Sequence, residues 1–371
     1  MARRLVGERM ILTLNAGSSS LKYGLFDLDE GTTPVAEGLV EEIGAGGGSH
    51  AEALGRVLAD MRDAGQLTEV SAVGHRVVHG GERFRAPTVV TPEVEAAIEA
   101  LSPLAPLHNP ANLAGIRAAR EALTMAGLPD VAHVAVFDTA FHATLPPRAY
   151  RYAVPEAWYA EYGVRKYGFH GTSHAYVSAE ARRVLAKAAH PSSRIVTLHL
   201  GNGCSAAAVL DGVCIDTSMG LTPLAGLVMG TRSGDVDPGL GAYLASRGID
   251  QAAYQRALNK ESGLLGVGGA SDMRALLAAR EEGSLSAKLA LDLYVYRLRQ
   301  TVGAYVAALG GLDALAFTAG VGENARAIRE EVIAGLSCFG VTDQGPARVL
   351  VIETNEELAI AQAAQKATAD A

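Results

Sequence analysis

Two arginines occupy places where a charge needs a reason. Arg76 interrupts the apolar run His75-Arg76-Val77-Val78-His79, where a guanidinium is costly without a partner. Arg232 lies in Gly230-Thr231-Arg232-Ser233-Gly234-Asp235, a loop with almost no apolar content. A guanidinium suits a bidentate grip on carboxylate or phosphate, and a structural ion pair is the competing reading for both. Asp138 closes an apolar run in Val136-Phe137-Asp138-Thr139-Ala140-Phe141-His142. Strand ends are where α/β proteins place functional groups, although a lone Asp there also serves as a turn or cap. Thr354-x-x-Glu357 reads as a capping box, which assigns Glu357 to a helix start and leaves Glu356 free. A free carboxylate at a strand-to-helix junction suits the water shell of Mg²⁺. His170 and His174 have the spacing of a zinc pair, but the glutamate of HExxH is missing. Gly171 and a cap at Thr172 also put His170 ahead of the helix. A histidine donating to a phosphoryl oxygen is the better reading.

These groups need elements to hold them. Ile11 to Leu14 is a buried-strand pattern, Asn15-Ala16-Gly17-Ser18-Ser19-Ser20 a polar turn, and Leu21 to Phe26 a second strand. A Gly/Ser-rich turn between strands offers N–H and hydroxyl donors to a phosphate. The pattern repeats at Ile195 to Leu210, around His199-Leu200-Gly201-Asn202-Gly203, and runs into an Asp211-Gly212 turn. Two such hairpins half a chain apart predict a duplicated, two-lobed α/β fold with a nucleotide in the cleft between lobes. Helices are expected from His50 to Ala64, after Thr91-Pro92, after Asn109-Pro110, and from Thr172 to Lys187. A longer one spans Leu289 to Leu309 and stops at Gly310-Gly311. Gly44 to Gly48 reads as a loop. Leu315 to Thr318 is a strand opening into Ala319-Gly320-Val321-Gly322-Glu323-Asn324, with Asn324 placed to cap the next helix. A last strand, Arg348 to Ile352, precedes a closing helix.

With 371 residues, 49% hydrophobic and 19% charged, the chain can bury two cores. A net charge of −8 argues against nucleic-acid and anionic-membrane partners, while leaving room for local arginines around an anion. Cys204, Cys214 and Cys338 have no zinc-type spacing and read as reduced, mostly buried thiols of a cytoplasmic protein. Residues 1–9 carry three arginines but no apolar stretch long enough for a signal peptide follows, and no run suits a membrane span.

Ten stretches in order, LNAGSSSLKY, GHRVVHGGE, LAPLHNPANL, VFDTAFH, YGFHGTSH, HLGNG, GTRSGDVDPG, SDMR, AGVGEN and TNEELAIA, resemble the acetate/propionate kinase family. That family lies in the actin–Hsp70–sugar kinase superfamily. The resemblance implies two lobes with duplicated ribonuclease-H-like cores: 1–146 completed by helix 355–371, and 147–354 for nucleotide binding and dimerisation. It implies Asn15 and Glu356 at the magnesium and phosphate, Arg76 and Arg232 holding the acyl substrate and the transferring phosphoryl group, Asp138 as the essential carboxylate beside them, and His170 stabilising the transition state. Lys22, His199, Leu200, Gly201, Asn202, Gly203, Asp272, Met273, Arg274, Gly320, Val321, Gly322, Glu323 and Asn324 match nucleotide residues. Val78, Leu107, Phe169 and Pro223 match an apolar pocket for the acyl methyl. Departures are Cys204 after HLGNG, Ala225 where the family often has Glu, and a glycine-richer loop before Asp272.

The expected reaction is ATP + acetate ⇌ ADP + acetyl phosphate with Mg²⁺ or Mn²⁺, by direct in-line transfer in a homodimer, with lobe closure excluding water. Propionate kinase is the near alternative, because one methylene is worth only about 1–3 kcal/mol. A nucleotide-switched protein of the actin or Hsp70 kind is the distant one.

Overall fold

A computed structural model describes residues 10–17, 20–41, 49–106, 108–187, 193–342 and 345–370. The expected loop at Gly44 to Gly48, together with Ser18, Ser19, Leu107 and residues 1–9, lies outside the described residues. The chain divides into two compact units, Met1–Phe141 with Asn355–Ala371, and His142–Thr354.

The first unit is built on a six-stranded sheet: β1 (Met10–Ala16), β2 (Leu21–Phe26), β3 (Ala36–Val40), β4 (Val70–Val77), β5 (Thr88–Val89) and β6 (Ala132–Phe137), in the order β3-β2-β1-β4-β6-β5. β1 pairs antiparallel with β2 and parallel with β4, and β4 runs parallel to β6. The second unit repeats this plan. β7 (Arg194–Leu200), β8 (Cys204–Leu210) and β9 (Val213–Thr217) form the antiparallel meander, while β10 (Ala314–Thr318) and β11 (Arg348–Val351) add parallel strands in the order β11-β10-β7-β8-β9. Reading outward from β1 or from β7, the two sheets have one topology, apart from the extra edge strand β5. Asp211 (φ 51) and Gly212 (φ 88) turn β8 into β9 with both residues left-handed, as a two-residue hairpin loop demands.

Helix α1 (His50–Asp63) and helix α3 (Asn109–Met125) cover one face of the first sheet, with α2 (Pro92–Ala100) packed on α3. Leu12, Leu14, Leu25, Leu54, Leu58, Val73, Ala119 and Leu123 fill the core beneath them. The helix-start signals fared unevenly. Ser49 forms a full capping box on α1, and the Thr91 hydroxyl caps α2. Asn109, however, is the first residue inside α3 rather than its cap. Its buried amide accepts from His79 N–H and donates to His79 C=O, which pins the chain after β4.

In the second unit α4 (Gly171–Lys187) already contains Thr172, which caps nothing. Further on come α5 (Met273–Glu281), the long α6 (Leu285–Leu309), a short α7 (Ala319–Asn324) and α8 (Arg326–Ala334). The expected glycine turn after β10 is thus the helix α7. Asn324 does not cap α8 either, because its amide turns back to donate to Gly320 C=O. Cys204 and Cys214 are buried and Cys338 is exposed, all as free thiols. Among the described residues no helix is long and apolar enough to cross a membrane.

The closing helix α9 (Glu356–Ala369) belongs to the first unit and packs on β1, β4 and β6. Gly74 permits that approach: a Cβ there would come within 2.7 Å of Ile360 Cγ2. The expected capping box at its start does not form. Asn355 caps the helix on Leu358 N–H, Thr354 bonds Ser173, and Glu357 pairs with Lys22 at 2.9 Å.

Beneath that region the strands bury a histidine pair. His75 Nε2 and His133 Nδ1 lie 2.8 Å apart with stacked rings. Burial, then each other's charge and that of Arg120, holds His75 well below its ordinary value. Burial, then Arg120, brings His133 down to about 4. Between about pH 6.5 and 4 the unfolded chain therefore binds more protons than the folded one, so stability falls as the pH falls through that window. Urea midpoints are expected to drop from pH 7.5 to 5, and His133→Gln should flatten part of that slope. An equal slope in the variant would contradict this account.

Candidate functional site

In the first unit the parallel register sets Arg76 beside Val136, one residue short of the end of β6 and two before Asp138, which follows the strand. Arg76 meets that carboxylate through two parallel bonds, Nε to Oδ1 at 2.9 Å and Nη2 to Oδ2 at 2.7 Å. Asp138 is only 1% exposed, so this is a buried, bidentate pair. Arg76 also donates to Asn15 Oδ1 at 3.4 Å and lies 4.0 Å from a Glu356 oxygen. Burial opposes the charged form of Arg76, but Asp138 and then Glu356 outweigh it and raise its pKa.

Glu356 is in the reverse position. Burial, with Asp138 and Glu357 nearby, raises its carboxyl pKa against the pull of Arg76 and Lys22. Three carboxylates, Asp138, Glu356 and Glu357, thus face two cations, Arg76 and Lys22. Among the described residues no group of three or more acidic, histidine or cysteine side chains is spaced to hold a metal ion. Asp138 and Glu357 are taken up by Arg76 and Lys22, which leaves Glu356 and the Asn15 carbonyl oxygen as the hard-oxygen donors at this corner. Asn112, which motif reading passed over, ties this corner together: its amide donates to Ala16 C=O at 2.7 Å and accepts from Val78 N–H. Val78 is buried immediately after β4. Lys22 joins this cluster through Glu357.

In the second unit the loop Gly201–Gly203 joins β7 to β8, and α4 and the Arg232 loop press against it. A Cβ on Gly203 would meet Arg232 Nη2 at 3.0 Å and the His170 ring at 3.4 Å, so the missing side chain leaves the room in which the two converge. Arg232 is partly buried, and its hydrogen bond goes to Pro223 C=O at 2.6 Å. Among the described residues it has no carboxylate partner, and burial lowers its pKa. Arginine stays charged at such sites, so this is a cation waiting for an anion.

His170 precedes α4 with φ 56, a left-handed conformation that costs a non-glycine residue about 1–3 kcal/mol. Its ring stacks on His199, centroids 4.2 Å apart, and His199 is held by Ser173. Phe169 is buried next to it.

Beside this cluster opens a cavity of about 540 Å³. Gly201, Asn202, Asp272, Met273, Arg274, Gly320, Val321 and Asn324 line it, and these eight come from the three stretches matched to nucleotide residues. Asp272 caps α5 and pairs with Arg274. Leu264, Ser271, Leu277 and Ala325 also line the cavity. Ser271 opens the matched stretch SDMR without a role of its own, whereas Leu264, Leu277 and Ala325 lie outside every matched stretch, since apolar and small residues leave no motif. Leu200, Gly322 and Glu323 do not line it. Leu200 is core, Gly322 packs under β10, and the Glu323 carboxylate accepts from Ala319 and Thr354 N–H groups.

Comparison with known proteins carries this further. An acetate kinase of Deinococcus deserti is 50% identical over 392 residues, covering 95% of this chain and 96% of that relative. The crystal structure of Porphyromonas gingivalis acetate kinase is 40% identical, covers 97% of this chain and all of its own, and superposes with a TM-score of 0.88. A propionate kinase structure from Francisella tularensis gives 39% identity, 96% and 99% coverage, and a TM-score of 0.90. The duplicated α/β plan of the two sheets is therefore that of these kinases. Residues 45–362 match the model of the acetokinase family, and the chain belongs to that family.

Proposed function

We propose that this protein is an acetate kinase, catalysing ATP + acetate ⇌ ADP + acetyl phosphate. The observation that carries the reading is Arg232, a partly buried guanidinium with no carboxylate partner among the described residues, which converges with His170 on Gly203 beside a nucleotide-sized cavity. The second unit takes the nucleotide, with Gly201 to Gly203 at its phosphates and the 272–274 and 320–324 stretches around the base and sugar. The first unit takes the acyl substrate and the metal. On the first unit, buried Val78 favours the apolar end of a short carboxylate.

The acceptor carboxylate is already ionised at neutral pH, so no general base is required. One of its oxygens attacks the γ-phosphorus while the bond to the ADP oxygen breaks in line. The protein's work is alignment and charge neutralisation. Arg232 and His170 donate to the equatorial oxygens, and Arg76, braced by Asp138, holds the acyl carboxylate. Asn15 and Glu356 would hold a Mg²⁺ ion, which supplies charge neutralisation on the phosphates.

A hydroxamate assay with ATP and acetate tests the reading; no acetyl phosphate above background would end it. The propionate kinase among the structural relatives makes propionate the comparison substrate, and kcat/KM for the two acids decides between them. Activity is expected to vanish with EDTA and return with Mg²⁺ or Mn²⁺. Stoichiometric zinc whose removal abolishes activity would contradict the assignment.

We also place the protein in the cytoplasm as a homodimer. Leu285, Leu289, Leu293 and Tyr296 form an exposed apolar stripe along one face of α6, with Leu285 82% exposed. Leu289→Asp is expected to shift the mass in light scattering from two chains to one, and an unchanged mass would move the interface elsewhere.

A further inference from the structure

His170 does not stand alone behind its ring. Its Nδ1 lies 2.8 Å from Ser205 Oγ, and the same oxygen lies 2.8 Å from His174 Nε2. His174 Nδ1 in turn lies 2.7 Å from Thr197 Oγ1. The four residues come from separate elements: the residue before α4, α4 itself, β8 and β7. The chain ends inside the sheet, since Thr197, His174 and Ser205 are all fully buried.

Each of these bonds has a donor and an acceptor, and one group settles the direction for all three. Among the described residues the Thr197 hydroxyl has no other acceptor than His174 Nδ1. Were it to accept from an Nδ1–H, its own buried proton would be left unbonded, at the desolvation cost of an unmade hydrogen bond. It therefore donates, and His174 Nδ1 accepts. His174 sits fully buried among His142 and His199, and burial, then those neighbours, holds its pKa well below the ordinary value, so it is neutral and carries its one proton on Nε2. That proton goes to Ser205 Oγ. The Ser205 hydroxyl then gives its own proton to His170 Nδ1, which leaves the His170 proton on Nε2. The Nε2 and Cε1 edge of the ring is the one that faces Gly203, on whose Cβ position Arg232 Nη2 also converges.

We propose that Thr197, His174 and Ser205 are positioning residues: a one-way chain of hydrogen bonds that fixes neutral His170 as the Nε2–H tautomer, a donor toward the phosphoryl site. No proton is consumed or transferred in this role. The chain sets which nitrogen carries hydrogen before the substrate arrives. It rests on the reading above, in which His170 donates to the transferring phosphoryl group.

The direct test is a long-range ¹H–¹⁵N correlation spectrum of histidine-labelled protein, with His170 and His174 assigned through His170→Gln and His174→Gln. Both are expected as Nε2–H tautomers, and a His170 or His174 protonated on Nδ1 overturns the chain. Kinetics supply an independent arm. A transition-state donor affects kcat and not substrate capture, so Thr197→Val should lower kcat roughly threefold to tenfold, the span of one net hydrogen bond, with KM for ATP and acetate within about twofold. Thr197→Ser, which keeps the hydroxyl, should restore kcat to within about twofold. Ser205→Ala should lower kcat at least as far as Thr197→Val. An unchanged kcat in Thr197→Val and Ser205→Ala, with His170→Gln impaired, refutes the chain but keeps His170 as donor. An unimpaired His170→Gln refutes the reading on which the chain rests.

Discussion

Arg232→Ala is expected to lower kcat by about 10²–10³-fold, the scale for losing one preorganised donor to developing charge, while the folded state stays close to wild type. The second half of that expectation comes from the surroundings. Arg232 is partly buried, and among the described residues its one bond goes to the Pro223 carbonyl, so its removal strands no carboxylate there. Burial already works against its charge, which means the free protein bears a cost that an anionic ligand relieves. Steady-state kinetics and urea midpoints on one preparation check both parts. A variant that keeps more than about half of wild-type kcat with unchanged stability would remove Arg232 from the site.

Arg76 should behave differently, although its kinetic loss is of the same order. Arg76→Ala deletes one partner of a bidentate pair whose other member, Asp138, is 1% exposed. Breaking such a pair from one side typically costs about 3–5 kcal/mol, because the remaining charge is buried and unpaired. The variant is therefore expected to lose about 10²-fold or more in kcat together with a large drop in urea midpoint. Asp138→Asn provides the contrast. It keeps the shape of the side chain and leaves Arg76 with Glu356 4.0 Å away, so its stability loss should be the smaller of the two. Equal destabilisation by both would mean that Glu356 does not take up the guanidinium.

The sequence made the chemistry-bearing residues legible where a local pattern announced them: an arginine in an apolar strand, an aspartate at a strand end, glycines between strands. It could not show who pairs with whom. Arg76 and Asp138 meet because β4 and β6 run parallel in a register that no short window contains. The misread helix starts share that cause. Thr354, Asn109 and Asn324 each have the right side chain for a cap, but each hydrogen bond is taken elsewhere: by Ser173, by the His79 backbone, and by Gly320. Capping is a local competition that tertiary partners can win. Thr197 and Ser205 were passed over for a related reason, since a hydroxyl in a strand looks the same whether or not it orients a histidine.

The helix Glu356–Ala369 has a consequence for how the protein is made. It completes the first unit, yet the ribosome delivers it only after the whole of the second, residues 142–354, which takes roughly 10–40 s at typical rates of synthesis. During that interval the β1, β4 and β6 face that Ile360 and Ala364 later cover is bare, and the nascent first unit is a candidate client for chaperones. The second unit is one continuous segment and can fold as it emerges. Birth order and folding order are thus reversed, and because Glu356 arrives with the same helix, the corner that gathers Arg76, Asp138 and Glu356 cannot form before the first unit is closed.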